Sequence, residues 1–324
     1  MKTFKSPNYN FVFNSINGFF MRWGKTLEDD PQSAPAPEIL DIEISTICHK
    51  ACTHCYKSNT GIGERMSLDT FKILFSKLPK SLTQIAFGIG DPFDEMFDIF
   101  QYCRDNNVIP NVTVNGEMMS KEYYDKLATL CGAVAVSLYD YDTCYNAVKE
   151  LTDRGMKQVN IHCLVAKETE EKCFKVLQDS KLDKRLEKLN AIVFLRLKPK
   201  GLRNSYSQLS KERFKELITY ALDNNIRFGM DSCSAPLFLD LIKDKPELKK
   251  LETLIEPCES SCFSYYVNTK GIAYPCSFTE GEGIEGINVL ECNTFDDVWN
   301  NENTKKFREV LINNNRCCPM FSLK

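Results

Sequence analysis

From residue 39 onward the chain alternates short apolar runs with amphipathic stretches, and this alternation limits the fold more than any other feature. The runs are "ILDIEIST", "LTQIAFGI", "NVTVN", "AVAVSL", "QVNIHCLV", "AIVFLRLK" and "IRFGMD". Between them, helical spacing marks residues 67–78, 93–107, 120–130, 143–154, 168–181 and 210–224. Strand and helix repeating at roughly 25 to 40 residues per unit is the pattern of βα units around a parallel sheet. Six or seven units predict an open or closed barrel, with its chemistry on the loops that leave the C-terminal ends of the strands. Ahead of it, residues 10–24 alternate about Asn17-Gly18, a pair that suits the positive φ of a tight hairpin turn, and the Pro-rich "DDPQSAPAPE" follows as a linker. After residue 240 the alternation stops. A linking helix, "DLIKDKPELKKLETLIEP", precedes a cysteine-rich segment with two short strands. The expected divisions are therefore 1–38, 39–240 and 241–324.

A chain of 324 residues with 43% hydrophobic and 26% charged residues can bury a substantial core, so no long stretch reads as disordered. The net charge of −3 argues against nucleic acid as a partner, since phosphate binding draws on clustered Lys and Arg. The N-terminal residues lack the apolar centre of a signal peptide, and no apolar run is long enough to span a bilayer. A cytoplasmic protein without membrane attachment is expected. In a reducing compartment the 15 cysteines call for metal binding, chemistry or burial rather than disulfides.

Three of them stand in "ICHKACTHCY", residues 47–56, directly after the first strand of the repeat. Cys48, Cys52 and Cys55 form C-x3-C-x2-C, compact enough to wrap one inorganic core. A 4Fe-4S cube takes four ligands, one per iron, so three thiolates leave one iron with an open position that pure electron transfer does not need. A zinc site completed by His49 or His54 is the alternative reading. The spacing and its place after strand one resemble the radical S-adenosylmethionine (SAM) superfamily. That resemblance implies a partial (β/α)6 TIM-type barrel, of α/β class, carrying an N-terminal hairpin and a small C-terminal Cys-rich α+β module. It also implies that the open iron binds the methionine part of SAM, and that reductive cleavage gives a 5′-deoxyadenosyl radical that abstracts hydrogen from substrate. The protein would supply position and a dry cavity.

Other positions join the resemblance. After strand two, Gly88-Ile89-Gly90-Asp91-Pro92 stands where the family commonly has Gly-Gly-Glu-Pro, so Gly88, Gly90 and Asp91 would hold the methionine amino group, with a carboxylate one methylene shorter. Asn115 and Ser137, at the ends of strands three and four, would contact the ribose or carboxylate. His162 either points inward or fills the core, and Arg196 or Lys198 either meets a carboxylate or is solvated. Cys233, at the end of the seventh run, is the candidate catalytic thiol, able to donate a hydrogen atom to a substrate radical or bond to it. Cys103, Cys131, Cys144, Cys163 and Cys173 lie within helices or strands and are expected in the core.

"CESSCFSYYVNTKGIAYPC", residues 258–276, places a hairpin turned by "NTKG" between cysteines, and Cys317 and Cys318 come late in the chain. The segment resembles the SPASM and shorter twitch extensions of radical SAM enzymes. The matching features are Cys258, Gly271 four residues before Cys276, and a helical stretch with Trp299 and Arg308. The internal C-x2-C-x5-C-x3-C of the full version is absent. One auxiliary 4Fe-4S cluster is thus implied, ligated by Cys258, Cys262, Cys276 and either Cys317 or Cys318, with Cys292 in reserve and zinc the alternative metal. By resemblance the substrate is a ribosomally made peptide or protein, modified by crosslinking, thioether formation, epimerisation or oxidation, and the electron comes from a flavodoxin- or ferredoxin-type reductant. A small-metabolite dehydrogenase and a non-catalytic iron-sulfur or zinc scaffold are the rival readings.

Overall fold

A computed structural model describes residues 1–321. Strands β1 (Lys2–Lys5), β2 (Asn10–Phe13) and β3 (Phe20–Trp23) form an antiparallel sheet in that order, so the expected hairpin gains a third strand at its edge. The repeat follows as β4 (Ile39–Glu43), α1 (Leu68–Ser76), β5 (Gln84–Gly88), α2 (Glu95–Asp105), β6 (Ile109–Val114), α3 (Lys121–Leu130), β7 (Val134–Ser137), α4 (Tyr141–Asp153), β8 (Val159–Val165), α5 (Glu170–Leu182), β9 (Ala191–Arg196), α6 (Lys211–Asp223) and β10 (Phe228–Met230). Neighbouring strands from β4 to β10 all pair in parallel, as right-handed crossovers through helices require. The run ends at β10 without returning to its start, which leaves the barrel partial.

Alternation decides which side chains face the helices. Leu40 and Ile42, Ile85 and Phe87, and Ile192 and Phe194 are buried against the helical layer, while Asp41 and Glu43 point to the inner face. Four helices start the same way: Ser67, Ser120, Asp140 and Ser210 each accept a hydrogen bond from the backbone N–H three residues on. Such caps contribute about 1 kcal/mol each and fix where those four loops end. Cys103, Cys131, Cys144, Cys163 and Cys173 are all buried, as expected, with the last two sulfurs 3.5 Å apart.

The C-terminal residues extend this sheet. After α7 (Ala235–Ile242) and α8 (Leu248–Glu252), β11 (Ser264–Val267) pairs in parallel with β4, from Ser264 opposite Ile39 to Val267 opposite Ile42. β12 (Ile272–Tyr274) and β13 (Ile287–Asn288) add on antiparallel, so three short strands stand where two were expected, and α9 (Asp296–Trp299) and α10 (Glu302–Asn313) follow. The "NTKG" turn joins β11 to β12, with Gly271 at φ +77°. No helix among the described residues is long and apolar enough to cross a membrane.

The N-terminal sheet packs on this C-terminal segment. Tyr9, Phe11 and Phe13 share a buried cluster with Cys258, Cys262, Phe263 and Leu311. Arg22 locks it: its guanidinium lies 3.7 Å over the Phe263 ring, 3.2 Å from Glu38 and against Glu256. Burial raises the Glu38 carboxyl above its ordinary range and Arg22 opposes that rise. Replacing Arg22 by Met leaves a buried carboxylate uncompensated and should destabilise the fold by about 3–5 kcal/mol at pH 8. Because protonation relieves the orphaned acid, the loss should shrink at pH 5, as read from urea denaturation at the two values.

Candidate functional site

The cysteine segment of the loop after β4 is held by bonds to the loop's own returning limb and by contacts from three other loops. Its internal bonds include single turns, from Ala51 N–H to Cys48 C=O at 3.3 Å, from Cys55 N–H to Cys52 C=O at 3.2 Å and from Ser58 N–H to Cys55 C=O at 3.0 Å, and bonds across its base, from Cys48 N–H to Thr60 C=O at 2.7 Å and from Thr46 N–H to Glu64 C=O at 3.0 Å. Ala51 and Ser58 take positive φ, which directs the chain sharply around the three thiols. The loop after β5 seats against it: Asp91 N–H donates to Ile47 C=O at 2.8 Å. Gly90, at φ +61°, comes so close that an added Cβ would lie 2.1 Å from the Ile47 oxygen and 3.3 Å from the Cys48 Cβ. Gly88 differs, since a Cβ there would make only ordinary contacts with Glu43.

Asp91 is 3% exposed and spends both oxygens on this interface. One accepts the His49 backbone N–H at 2.8 Å and faces His49 Nδ1 at 2.6 Å, and the other accepts from Asn115 Nδ2 at 3.0 Å. Asn115 Oδ1 in turn accepts the Glu117 N–H at 2.9 Å. Asp91, Asn115 and His49 therefore brace the cysteine loop. Ser137 stands half-buried at the end of β7, in register with His162. His162 does face inward, 3.5 Å from Thr113 Oγ1, and burial lowers its pKa to about 4, so it is neutral at pH 7.

The sulfurs sit among donors. Burial pushes the Cys48 and Cys52 thiols up, while the N–H groups of Lys50 and Ala51 toward Cys48, and the Tyr139 hydroxyl toward Cys52, favour thiolate. This donor set suits an iron-sulfur core, whose thiolate ligands accept such hydrogen bonds. His49 Nδ1 engages Asp91, and the His54 ring packs 4.9 Å from Tyr206 and 6.1 Å from Tyr139. His54 Nδ1 is buried without a hydrogen-bond partner, and its pKa is lowered by burial and by Lys172.

Sequence reasoning missed three supports. Gly201, at φ +110° in the loop after β9, packs where a Cβ would fall 2.4 Å from the Cys55 carbonyl oxygen. Leu202 N–H donates to Ser58 Oγ at 2.7 Å. Tyr56 stacks at 4.2 Å on Phe278 and donates to Ser277 Oγ at 3.2 Å, tying the first cysteine loop to the residues after Cys276. Of these, only Gly201, in the turn Pro199-Lys200-Gly201, carries a signal in the sequence.

In the C-terminal segment Cys258, Cys276 and Cys318 lie within electrostatic reach of one another, and Cys233 reaches Cys258 and Cys318 as well as Lys198. Ser260 hydrogen-bonds toward both Cys258 and Cys276. Burial raises Cys276 to about 12. Cys262 is fully buried in the aromatic cluster, where it meets Arg316, Arg308 and Cys258, and its thiol is raised to about 11. Cys317 N–H closes a turn on Asn314 C=O, and Cys292 Sγ bonds the Asn288 carbonyl at 3.3 Å. Arg308 stacks at 4.5 Å on Trp299 and donates to its carbonyl at 2.9 Å, so that pair braces the segment. Lys198 pairs with Asp231. Among the described residues no three His, Cys, Asp or Glu side chains converge tightly enough to grip one metal ion. Thiolates that bind different irons of a cube stand farther apart than ligands of a single ion.

No protein-family model matches the chain, and no curated protein matches it in sequence. Solved structures match its fold. SuiB of Streptococcus suis aligns at TM-score 0.68 and 16% identity, over 85% of this chain and 68% of that one. SuiB bound to its precursor peptide SuiA aligns at 0.68 and 14%, over 85% and 67%. anSMEcpe with bound AdoMet and the Cp18Cys peptide aligns at 0.63 and 16%, over 84% and 82%. At these identities the likeness establishes a common fold.

The glycines give a direct check. Gly90→Ala should lower stability by about 2 kcal/mol or more, from its positive φ and the overlap with Ile47. Gly88→Ala should stay within about 0.5 kcal/mol of the parent. Urea midpoints distinguish the two.

Proposed function

We propose that this chain is a radical SAM enzyme that modifies a peptide. One observation carries the reading: a braced three-cysteine loop leaves the C-terminal end of β4, inside a fold shared with structures solved with SAM and with peptides. Cys48, Cys52 and Cys55 would hold a 4Fe-4S cluster. When bound, that cluster supplies the electron that splits the sulfonium C–S bond of SAM, yielding a 5′-deoxyadenosyl radical that takes hydrogen from substrate.

The residues have separable tasks. Asp91, with Asn115 and His49, fixes the loop, and the Gly88–Asp91 backbone with Ser137 offers polar groups to SAM at the strand ends. Tyr139, Tyr206 and His54 wall off water beside the thiols. An auxiliary cluster would draw on Cys258, Cys276 and Cys318, with Cys262, in reach of Cys258, as the further thiol; Cys318 is preferred to Cys317 because it lies in reach of the other two. Cys233, close to that set and to Lys198, is the candidate for hydrogen donation or transient bonding to substrate. A small flavin or ferredoxin-type protein is the expected reductant.

Anaerobic reconstitution with iron and sulfide should give about eight irons per chain. Adding SAM and dithionite should release 5′-deoxyadenosine. Replacing Cys48, Cys52 and Cys55 by Ala should abolish release, whereas Cys276→Ala should keep part of it and bind about four irons fewer. Zinc in the first loop, or no nucleoside from the fully loaded protein, would overturn the reading.

A further inference from the structure

Within the barrel Asp41 stands apart from every other charged group. Its strand β4 runs between β5 and β11, with Asp41 in register between Ala86 and Tyr266. Because Leu40 and Ile42 are fully buried toward the helices, Asp41 faces the inner space, where small Ala86 leaves room beside it. Its side chain is open to water even though protein surrounds it, and desolvation raises its pKa to about 6. That combination marks a group lining an internal space. No hydrogen bond or ion pair among the described residues reaches its carboxylate.

The cations around the strand ends are already engaged, Arg196 among them, within electrostatic reach of Asp231. Lys57 sits 3.1 Å from Glu43 and against Glu280, so a single ammonium serves two carboxylates. Lys198 is held by Asp231, and Lys200 bonds the Phe278 carbonyl and lies 3.5 Å from Glu282. His162 is neutral. Tyr56 and Tyr266 complete the surroundings, and the Tyr266 hydroxyl donates to Glu43 at 2.9 Å. This side of the interior is thus acidic, with one anion uncompensated. An anion on the wall of an internal space, with no counter-ion fixed beside it, attracts cations more strongly than one in bulk water does.

We propose that Asp41 binds the cationic nitrogen, ammonium or guanidinium, of a basic side chain that the substrate peptide inserts into the barrel. The peptide part of this statement rests on the function proposed above, while the cation preference rests on the charges alone. Asp41 lies two residues, about 7 Å, deeper than Glu43. A long-stemmed lysine or arginine can carry its charge to that depth, with its methylenes along the walls.

The test uses anaerobically purified protein with neither SAM nor reductant, so it is independent of whether SAM is cleaved. Nα-acetyl-lysine methylamide and its norleucine counterpart are titrated calorimetrically at pH 7.5. The lysine probe should bind at least about 10-fold more tightly than the norleucine one, and Asp41→Asn should erase the difference. The preference should also fade below pH 6 as the carboxylate protonates, a dependence that the Asn variant should lack; Glu43, the other inward acid, remains in both proteins. Equal binding of the two probes to the parent, no binding of the lysine probe, or a preference that survives Asp41→Asn would each overturn the proposal. Folding of the variant is checked separately. A carboxyl with a raised folded pKa contributes stability below its unfolded pKa and loses it as pH rises through about 6. Asp41→Asn should therefore match the parent near pH 4 and exceed it in urea midpoint at pH 8.

Discussion

Three thiols within eight residues can face one point only if something outside their loop holds it, because so short a segment has no core of its own. Here the grip comes from backbone contact. Ile47 C=O takes the Asp91 N–H, the Asp91 carboxylate takes the His49 N–H, and Gly90 and Gly201 let neighbouring loops approach where a Cβ would overlap a carbonyl. Those loops are rigid because each leaves a parallel strand and, on the β5 to β7 side, runs into a capped or packed helix. The sheet therefore transmits its order to the thiols through loop-on-loop contacts, joined by the cysteine loop's own bond from Cys48 N–H to Thr60 C=O.

The same logic joins the two cysteine regions. β11 adds to the sheet beside β4, which brings the residues after Cys276 against those after Cys55. Tyr56 on Phe278, Tyr56 to Ser277, and Lys57 between Glu43 and Glu280 then cross the seam. The N-terminal sheet closes the far side through Arg22, Phe263 and the aromatic cluster. Both ends of the described chain thus stabilise one segment, and the distance between the two thiol groups is set by hydrogen bonds of the sheet rather than by a linker.

Much of this was legible in the sequence, for a specific reason. The period-2 runs and capped helices are local, so the seven parallel strands and their helices fall within about three residues of expectation, and four of the five core cysteines sit inside strands or helices, with Cys131 just past the end of α3. The parallel pairing of β11 with β4 was not legible, because it joins residues more than 200 apart and β11 is only four residues long. Nor were the partners of Asp91. Gly-Asp-Pro reads as a turn with an anion to offer, yet which donor comes to that anion depends on how the β4 and β5 loops lean together. Gly201 shows the same limit: its need for a bare backbone arises from a carbonyl 146 positions earlier, at Cys55.

The treatment of charge separates structural from functional groups. Arg22 meets Glu38, Lys57 meets Glu43 and Lys198 meets Asp231, each with the cation and at least one acid largely buried. Where two partners are fixed by the fold, desolvation is offset inside the protein and no ligand is needed. Asp41 breaks that rule on β4, the first strand of the parallel run, where an asparagine would fit the same pleat without a charge. A charge left without a fixed partner on an inward-facing strand position, in a fold that pairs its other inward charges, points to a partner that arrives from outside. The charges already inside require that partner to be positive.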